Sequence, residues 1–460
     1  MNCRSIIRTL FVLSLATLLA VACEDPSLQD DPDMRTLSLQ LYVPDGAPDP
    51  ATKAGGSVAF SAESKLYDVR VWVYEHKGEG EGDEDLPISF NLVTGLNSGS
   101  GWQNTENLPN GSGYYGASYW LDDHTLKIDL NIPGKVLDWP ESRMKVDFYI
   151  LANAASLHLL KPTGTNPFTT SPLVEDPYTL PRGTLRSLVF GGSDFFAATE
   201  VPSGGLPFTG FYNRDKQGQA NGVDISFMKN IGSLSQQQAL AQMYDHIPII
   251  QLSRAVSRIR LVFSRLKDMG YVQIDAIRLA SANDPQEGII PNYSYVFPRG
   301  SVVLPDPAPT YLPVTLPGLL NHQIPGVLHP EDLRSDNYAD QQAYEAFLNE
   351  DLAKTSGRQT VQQFLYVRET DGPLAVVIDY TFFREAEDEG DDGGGQASEE
   401  HHTIVAPLMV PDGDGLSQAS SFPRNNSATL YAYFLEDTIR FRVSWDEWDD
   451  QNITHTNLTP

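Results

Sequence analysis

Carboxylates are the most abundant reactive groups in this chain, with 60 Asp and Glu against 32 Lys and Arg. Paired acids can hydrolyse glycosidic bonds, but only when a rigid scaffold fixes their separation. The densest group, Glu385, Glu387, Asp388, Glu389, Asp391 and Asp392, falls in one glycine-rich run and reads as a solvated loop. Asp412-Gly413-Asp414-Gly415 offers oxygens to calcium, which takes six to eight, yet lacks the EF-hand spacing and reads better as a turn. His401-His402 is a tempting metal pair, but neighbours on a strand face opposite sides, so it is taken as exposed loop-end sequence. Arg254, Arg258 and Arg260 share a face opposite Ile259 and could hold an anion; a salt-bridged outer sheet face is the stronger reading. Trp102, Tyr114, Tyr115 and Trp120 could stack on sugar rings, against the alternative of core or loop packing. The sequence has no Gly-x-Ser-x-Gly elbow, His-Glu-x-x-His helix or phosphate-binding glycine loop. The expectation is a protein without catalytic residues, metal or cofactor, and not an enzyme.

One residue points to covalent chemistry of another kind. Arg4 and Arg8 precede an apolar stretch at residues 10–20, and Ala20-Val21-Ala22 leads into Cys23. The stretch is short for a bilayer span, and the whole resembles a bacterial lipoprotein signal. Cleavage before Cys23 would leave an N-terminal cysteine carrying acyl chains such as palmitate, which anchor the chain to a membrane. Losing residues 1–22 removes Arg4 and Arg8 and takes the net charge from −28 to −30. So acidic a protein is repelled by phosphate backbones, which argues against nucleic acid as a partner. Cys3 leaves with the signal and Cys23 is acylated, so no thiol remains for a disulfide, and stability must come from packed cores.

The elements behind these residues are mainly strands. Residues 24–33 (EDPSLQDDPD) are acidic and read as a tether, similar to the stretch that follows the acylated cysteine in surface-exposed lipoproteins. Beyond it, Tyr67, Val69, Val71 and Val73 alternate with Asp68 and Arg70, and Val146, Phe148, Ile150 and Ala152 repeat the pattern. Ala255, Ile259, Leu261 and Phe263 do so again, as do Ile439, Phe441, Val443 and Trp445. Period-two alternation marks strands buried on one face, of the antiparallel kind. Residues 97–116, 163–176 and 203–218 read as turn-rich loops, and residues 385–395 as a hairpin loop. Minor helices are expected over residues 234–244, with Ser233 or Ser235 as cap, and over residues 338–354. About 440 residues exceed one core, so two β-sandwiches are expected. The layout is 1–22 signal, 23–35 tether, 36–267 N-terminal sandwich and 268–460 C-terminal sandwich, the boundary falling after the strand that ends near residues 263–265.

Several segments in order resemble the fimbrillin family of Bacteroidales-type (type V) pili. They are Thr52-Lys53-Ala54-Gly55 with the strand from Glu63 to Tyr74, Val146 to Ala154 with its Ala-Asn ending, and Leu252 to Ile259, similar to the strand that closes that family's first domain. Phe364 to Glu369 and Pro423-Arg424-Asn425-Asn426, with a last strand reaching Trp445, complete the set. The resemblance implies an all-β fold of two tandem transthyretin-like antiparallel sandwiches. It also implies a lipidated precursor at the outer-membrane surface, cut by a protease after a basic residue, whose first strand leaves so that a neighbouring subunit can donate one. Leu37, Leu39, Leu41 and Val43 would form the displaced strand, and Ile439, Phe441, Val443 and Trp445 the donor or the last permanent strand. Partners would be other pilus subunits, in a homo- or hetero-polymer, and the role adhesion. One departure stands out: no arginine lies between Thr36 and Val69, leaving Lys53 as the basic residue of the loop and Arg35 ahead of the strand as candidate cleavage sites. An uncleaved basal anchor and a surface glycan-binding lipoprotein remain as alternatives.

Overall fold

The computed structural model describes residues 35–44, 62–78, 81–94, 118–121, 124–165, 168–191, 200–266, 271–282, 293–298, 326–328, 361–369, 373–384, 398–412, 415–418, 422–435 and 438–447. The strands of the first half are β1 (Arg35–Tyr42), β2 (Asp68–Glu75), β3 (Ser89–Thr94), β4 (Ser118–Trp120), β5 (Thr125–Ile132), β6 (Lys145–Ala152), β7 (Leu159–Thr165), β8 (Phe168–Pro172), β9 (Val189–Gly191), β10 (Phe208–Tyr212), β11 (Val223–Asp224), β12 (Ile250–Gln251) and β13 (Ser253–Arg254). There follow β14 (Val256–Leu266), β15 (Tyr271–Ser281), β16 (Tyr293–Tyr295), β17 (Gly326–Leu328), β18 (Val361–Arg368), β19 (Leu374–Arg384), β20 (Ser398–Pro407), β21 (Met409–Asp412), β22 (Gly415–Gln418), β23 (Asn426–Leu435) and β24 (Thr438–Glu447). The fold is all-β.

Two sheets enclose the first core, one in the order β12-β1-β5-β4 and one in the order β13-β10-β6-β2-β3, with β11 beside β6. Alternate residues do what the pattern promised: Leu37, Leu39 and Leu41 from one sheet and Val69, Val71 and Val73 from the other are buried in one cluster. The reverse face of β2 is covered as well. Trp72 Nε1 donates to the Pro177 carbonyl (2.9 Å) and Tyr74 Oη to that of Leu180 (2.8 Å), so a polar outer face is not what this strand presents. Residues 163–176 and 203–218, expected as loops, contain the end of β7, β8 and β10. In the first case the prolines misled, because the pairing of β7 with β8 slips between Pro162 and Gly164 and β8 is an edge strand, where proline is tolerated.

The second core lies between the β17-β14-β23-β24 sheet, with β18 also on β14, and the three-stranded β15-β19-β20 sheet. β14 pairs antiparallel with β18 but parallel with β23 from Arg258↔Ser427 to Arg265↔Phe434, so this sheet is mixed, whereas β15, β19 and β20 pair antiparallel throughout. β14 therefore belongs to the second core, which takes up its Ile259, Leu261 and Phe263, while Ala255 and Val256 lie in the first. The change-over precedes the expected boundary by about ten residues, roughly one strand length. Alternation shows that a strand has a buried face, and here its partner lies far along the chain. A second crossing reinforces this: Val296 and Phe297 pack in the first core, and β16 pairs with β9.

The helix expected over residues 234–244 is observed at Gln236–His246, where Ser235 and Gln238 form a reciprocal capping box. The one expected over 338–354 lies outside the described residues. β19 and β20 pair from Ala375↔Pro407 to Arg384↔Ser398, the hairpin expected around residues 385–395. His401 and His402 are within β20 rather than at a loop end: His401 Nδ1 is 2.8 Å from Thr381 Oγ1, and His402 stacks on Tyr380. Asp412 pairs with Gly415, while residues 413 and 414 of the expected turn lie outside the described residues.

Candidate assembly site

The strand expected to be displaced lies inside its sheet, between β12 and β5. Leu37, Leu39, Leu41 and Val43 are all buried, and β1 pairs with β5 at eight successive positions, from Arg35↔Ile132 to Tyr42↔Thr125. On its other side, among the described residues, it has only the short parallel contact with β12, Leu41↔Ile250 and Tyr42↔Gln251. Leu126, Ile128 and Leu130 stand opposite Leu41, Leu39 and Leu37 and are equally buried, so taking β1 away would leave an apolar channel walled by β5. Ser38, on the opposite face of the strand from these leucines, is nevertheless only 2 % exposed. The helix Gln236–His246 covers it: its backbone N–H points to Met243 Sδ (3.3 Å), and its hydroxyl donates to the Asp129 carboxylate, which also holds Lys127 Nζ at 2.8 Å.

The end of β1 is fastened to the junction between the cores. Arg254 Nη2 donates to the Pro44 carbonyl (2.9 Å), as does Ser64 Oγ (3.1 Å). Next to Ser64, Glu63 accepts two bonds from Arg258 Nη1 (3.0 and 2.8 Å) and one from Tyr366 Oη (2.5 Å). Burial, and then the charge of Glu63, push the Tyr366 phenol well above its ordinary range, so it stays protonated and donates. Arg258 also reaches Ser427 Oγ from Nε (3.2 Å). The arginines are thus not a solvated outer face. The side of β14 away from the second core lies against the first half of the chain, and Arg254 and Arg258 are buried there.

A second clamp crosses the junction. Arg424 grips Glu369 with two bonds (2.8 and 2.5 Å) and donates to the carbonyls of Val296 (2.8 Å) and Tyr295 (2.7 Å). Burial alone would raise the Glu369 pKa, but the charge and hydrogen bonds of Arg424 outweigh it and hold that carboxyl below its ordinary range. The motif residues beside these clamps have backbone reasons for their identity. Asn153 and Asn425 both adopt left-handed φ of 58°, which Asn tolerates better than most side chains. The Asn153 amide ties the end of β6 to the Lys65 and Leu206 carbonyls (2.8 and 2.7 Å) and accepts from Tyr67 N–H (2.7 Å).

Of the other candidates, Arg35 opens β1, while Cys23 and Lys53 lie outside the described residues. Ile439, Phe441, Val443 and Trp445 fall in β24, opposite Phe434, Ala432, Leu430 and Ala428, the buried row of β23. β24 is thus the edge strand of its sheet among the described residues. Trp102, Tyr114 and Tyr115 are outside the described residues, and Trp120 ends β4. Sequence reasoning missed Glu63, Tyr366 and Glu369. All three lie in segments that carried the family resemblance, where their identity gave no sign of a buried partner.

No protein-family model matches the chain, and no curated protein matches it. The solved structures it resembles are fimbrial and adhesion-type proteins of Bacteroidales. A tip fimbrial protein of Porphyromonas gingivalis, solved with a C-terminal truncation, is 10% identical at a TM-score of 0.41, with 90% of this chain and 100% of that chain covered. A fimbrilin of the same organism is 10% identical at 0.39, covering 90% and 97%. A protein of Parabacteroides distasonis provisionally assigned to cell adhesion is 12% identical at 0.42, covering 90% and 97%.

Proposed function

We propose that this chain is the lipidated precursor of a pilus subunit, delivered to the outer-membrane surface through Cys23 and made competent for assembly when its first strand is exchanged for a neighbour's. It is non-enzymatic and supports adhesion. The observation that carries the reading is β1 itself: a strand with three buried leucines, followed by buried Val43, that is joined to the rest of the chain through residues 45–61, where Lys53 lies. A cut there frees β1 covalently without removing any other strand of the first core, and the vacated ladder of β5 is a template for β-augmentation. Glu63 and Ser64 would remain docked after the cut, keeping the new N-terminus against the junction. Cleavage at Lys53 would discard Cys23 and its lipid together with β1.

Treatment of the purified precursor with a lysine-specific protease, followed by N-terminal sequencing and size analysis, tests this. The expected product begins at Ala54 and forms oligomers through strand exchange. A cut protein that stays monomeric and never exchanges its strand would refute the polymer role. A chain isolated from both sheared fibres and membranes with acylated Cys23 intact would instead identify an uncleaved anchor.

A further inference from the structure

We propose that the β1 groove selects its occupant at the Ser38 position, so that the donor strand it accepts comes from a different polypeptide and not from β24 of a second copy of this chain. The inference rests on the strand-exchange reading above. Three fully buried leucines, Leu37, Leu39 and Leu41, ask for aliphatic side chains at alternate positions. Many strands meet that demand, including β24. Discrimination comes from the reverse face, where a groove residue is ordinarily free to vary. Here Ser38 is enclosed by the helix Gln236–His246, with Met243 Sδ against its N–H and the Asp129 carboxylate on its hydroxyl. Lys127, 6 % exposed, already neutralises Asp129 and stands directly opposite Gln40. The site fits a small side chain at position 38 and disfavours a cation at position 40, where two like charges would meet in a desolvated pair.

Laid along β1 in the same direction, with Ile439 in place of Leu37, β24 puts Arg440 at the Ser38 position and Arg442 opposite Lys127. Moving it two residues one way puts Arg442 at the Ser38 position; moving it two residues the other way puts Asp437 in the place of fully buried Leu37. A slide that brings Ser444 to the Ser38 position puts Trp445 at Leu39 and Glu447 at Leu41. Reversing the strand again places Ser444 well, but Trp445 and Phe441 then overfill the sites of Leu37 and Leu41, and Arg442 again opposes Lys127. Every placement conflicts with a buried position. The matching donor has aliphatic residues at alternate positions, a Ser- or Ala-sized residue between the first two and an uncharged or acidic residue between the next two.

The test uses the full chain with a specific protease site inserted within residues 45–61, cut so that β1 remains bound, and challenged with labelled peptides. The peptides are residues 35–44, the same with Ser38→Ala or Ser38→Arg, and residues 438–447. The 35–44 and S38A peptides should exchange in, whereas S38R and 438–447 should do so about tenfold less or worse. Exchange of 438–447 within about threefold of the 35–44 peptide would overturn this inference and leave strand exchange standing. Failure of every peptide, the 35–44 sequence included, would overturn both.

Discussion

Removing the Arg258 side chain should be among the most damaging single changes in the protein. The Arg258–Glu63 pair is largely buried, with side-chain exposures of 7 % and 11 %, and Tyr366 also donates to that carboxylate. Arg258→Ala takes the guanidinium from the largely buried Glu63 charge, and breaking a buried pair from one side costs about 3–5 kcal/mol. That is between about two and four orders of magnitude in the unfolding equilibrium. Removing both charges, with Arg258→Met and Glu63→Gln together, should recover much of the loss, since the penalty lies in the orphaned charge and not in the absence of the pair. Guanidinium unfolding of the four cycle members, followed by tryptophan fluorescence and circular dichroism, reads both quantities. Because Glu63 belongs to the entry of β2 and Arg258 and Tyr366 to the paired strands β14 and β18 of the sheet that walls the second core, R258A should also separate the unfolding of the two cores into distinguishable transitions. An R258A protein within about 0.5 kcal/mol of the parent would refute the account of the junction as a buried, energetically coupled contact.

Leu39→Ala, at a fully buried position in the middle of β1, should destabilise by about 2–5 kcal/mol in denaturant titrations and speed the loss of β1 from a chain cut within residues 45–61. Asn153→Ala should cost at least about 2 kcal/mol, combining the left-handed backbone with carbonyl and N–H groups left unpaired, whereas Asn153→Gly should recover only the backbone part. Glu369 is held below its ordinary pKa in the folded protein, so its contribution is complete above about pH 4.3 and is lost as the pH falls through its depressed value. Glu369→Gln should therefore lower stability at neutral pH and flatten the acid limb of a melting-temperature profile; an unchanged acid limb would count against the clamp with Arg424.

The alternating valines, leucines and phenylalanines disclosed the strands because burial of one face imposes period two wherever a strand lies. The capping serine of the helix Gln236–His246 was equally legible, being a local matter of one hydroxyl and one amide. What escaped was set by distance along the chain. Val256–Leu266 looks like the last strand of the first half until its partners, about 100 and 170 residues further on, are known. The same holds for Arg254 and Arg258, whose charge suggests solvent and whose carbonyl and carboxylate partners come from residues 44 and 63. Ser38 reads as an outward residue from alternation alone, since the helix that closes over it begins roughly 200 residues later and leaves no mark on the local pattern. The density of glycine, proline and serine over residues 163–176 argued for a loop where the end of β7 pairs with the edge strand β8.

The parallel pairing of β14 with β23 fixes an order of events as well as a shape. Parallel neighbours need a long crossover, and here the whole of residues 267–425 lies between the two strands. A chain emerging N-terminus first holds every strand of the β12-β1-β5-β4 sheet long before β14 meets its central neighbour, so the first core has its walls while the second has only one. Contacts of such separation make for slow closure. In that interval β14 presents a bare ladder edge, and the half of the molecule that receives a strand is ready before the half that carries β24 exists as a folded body.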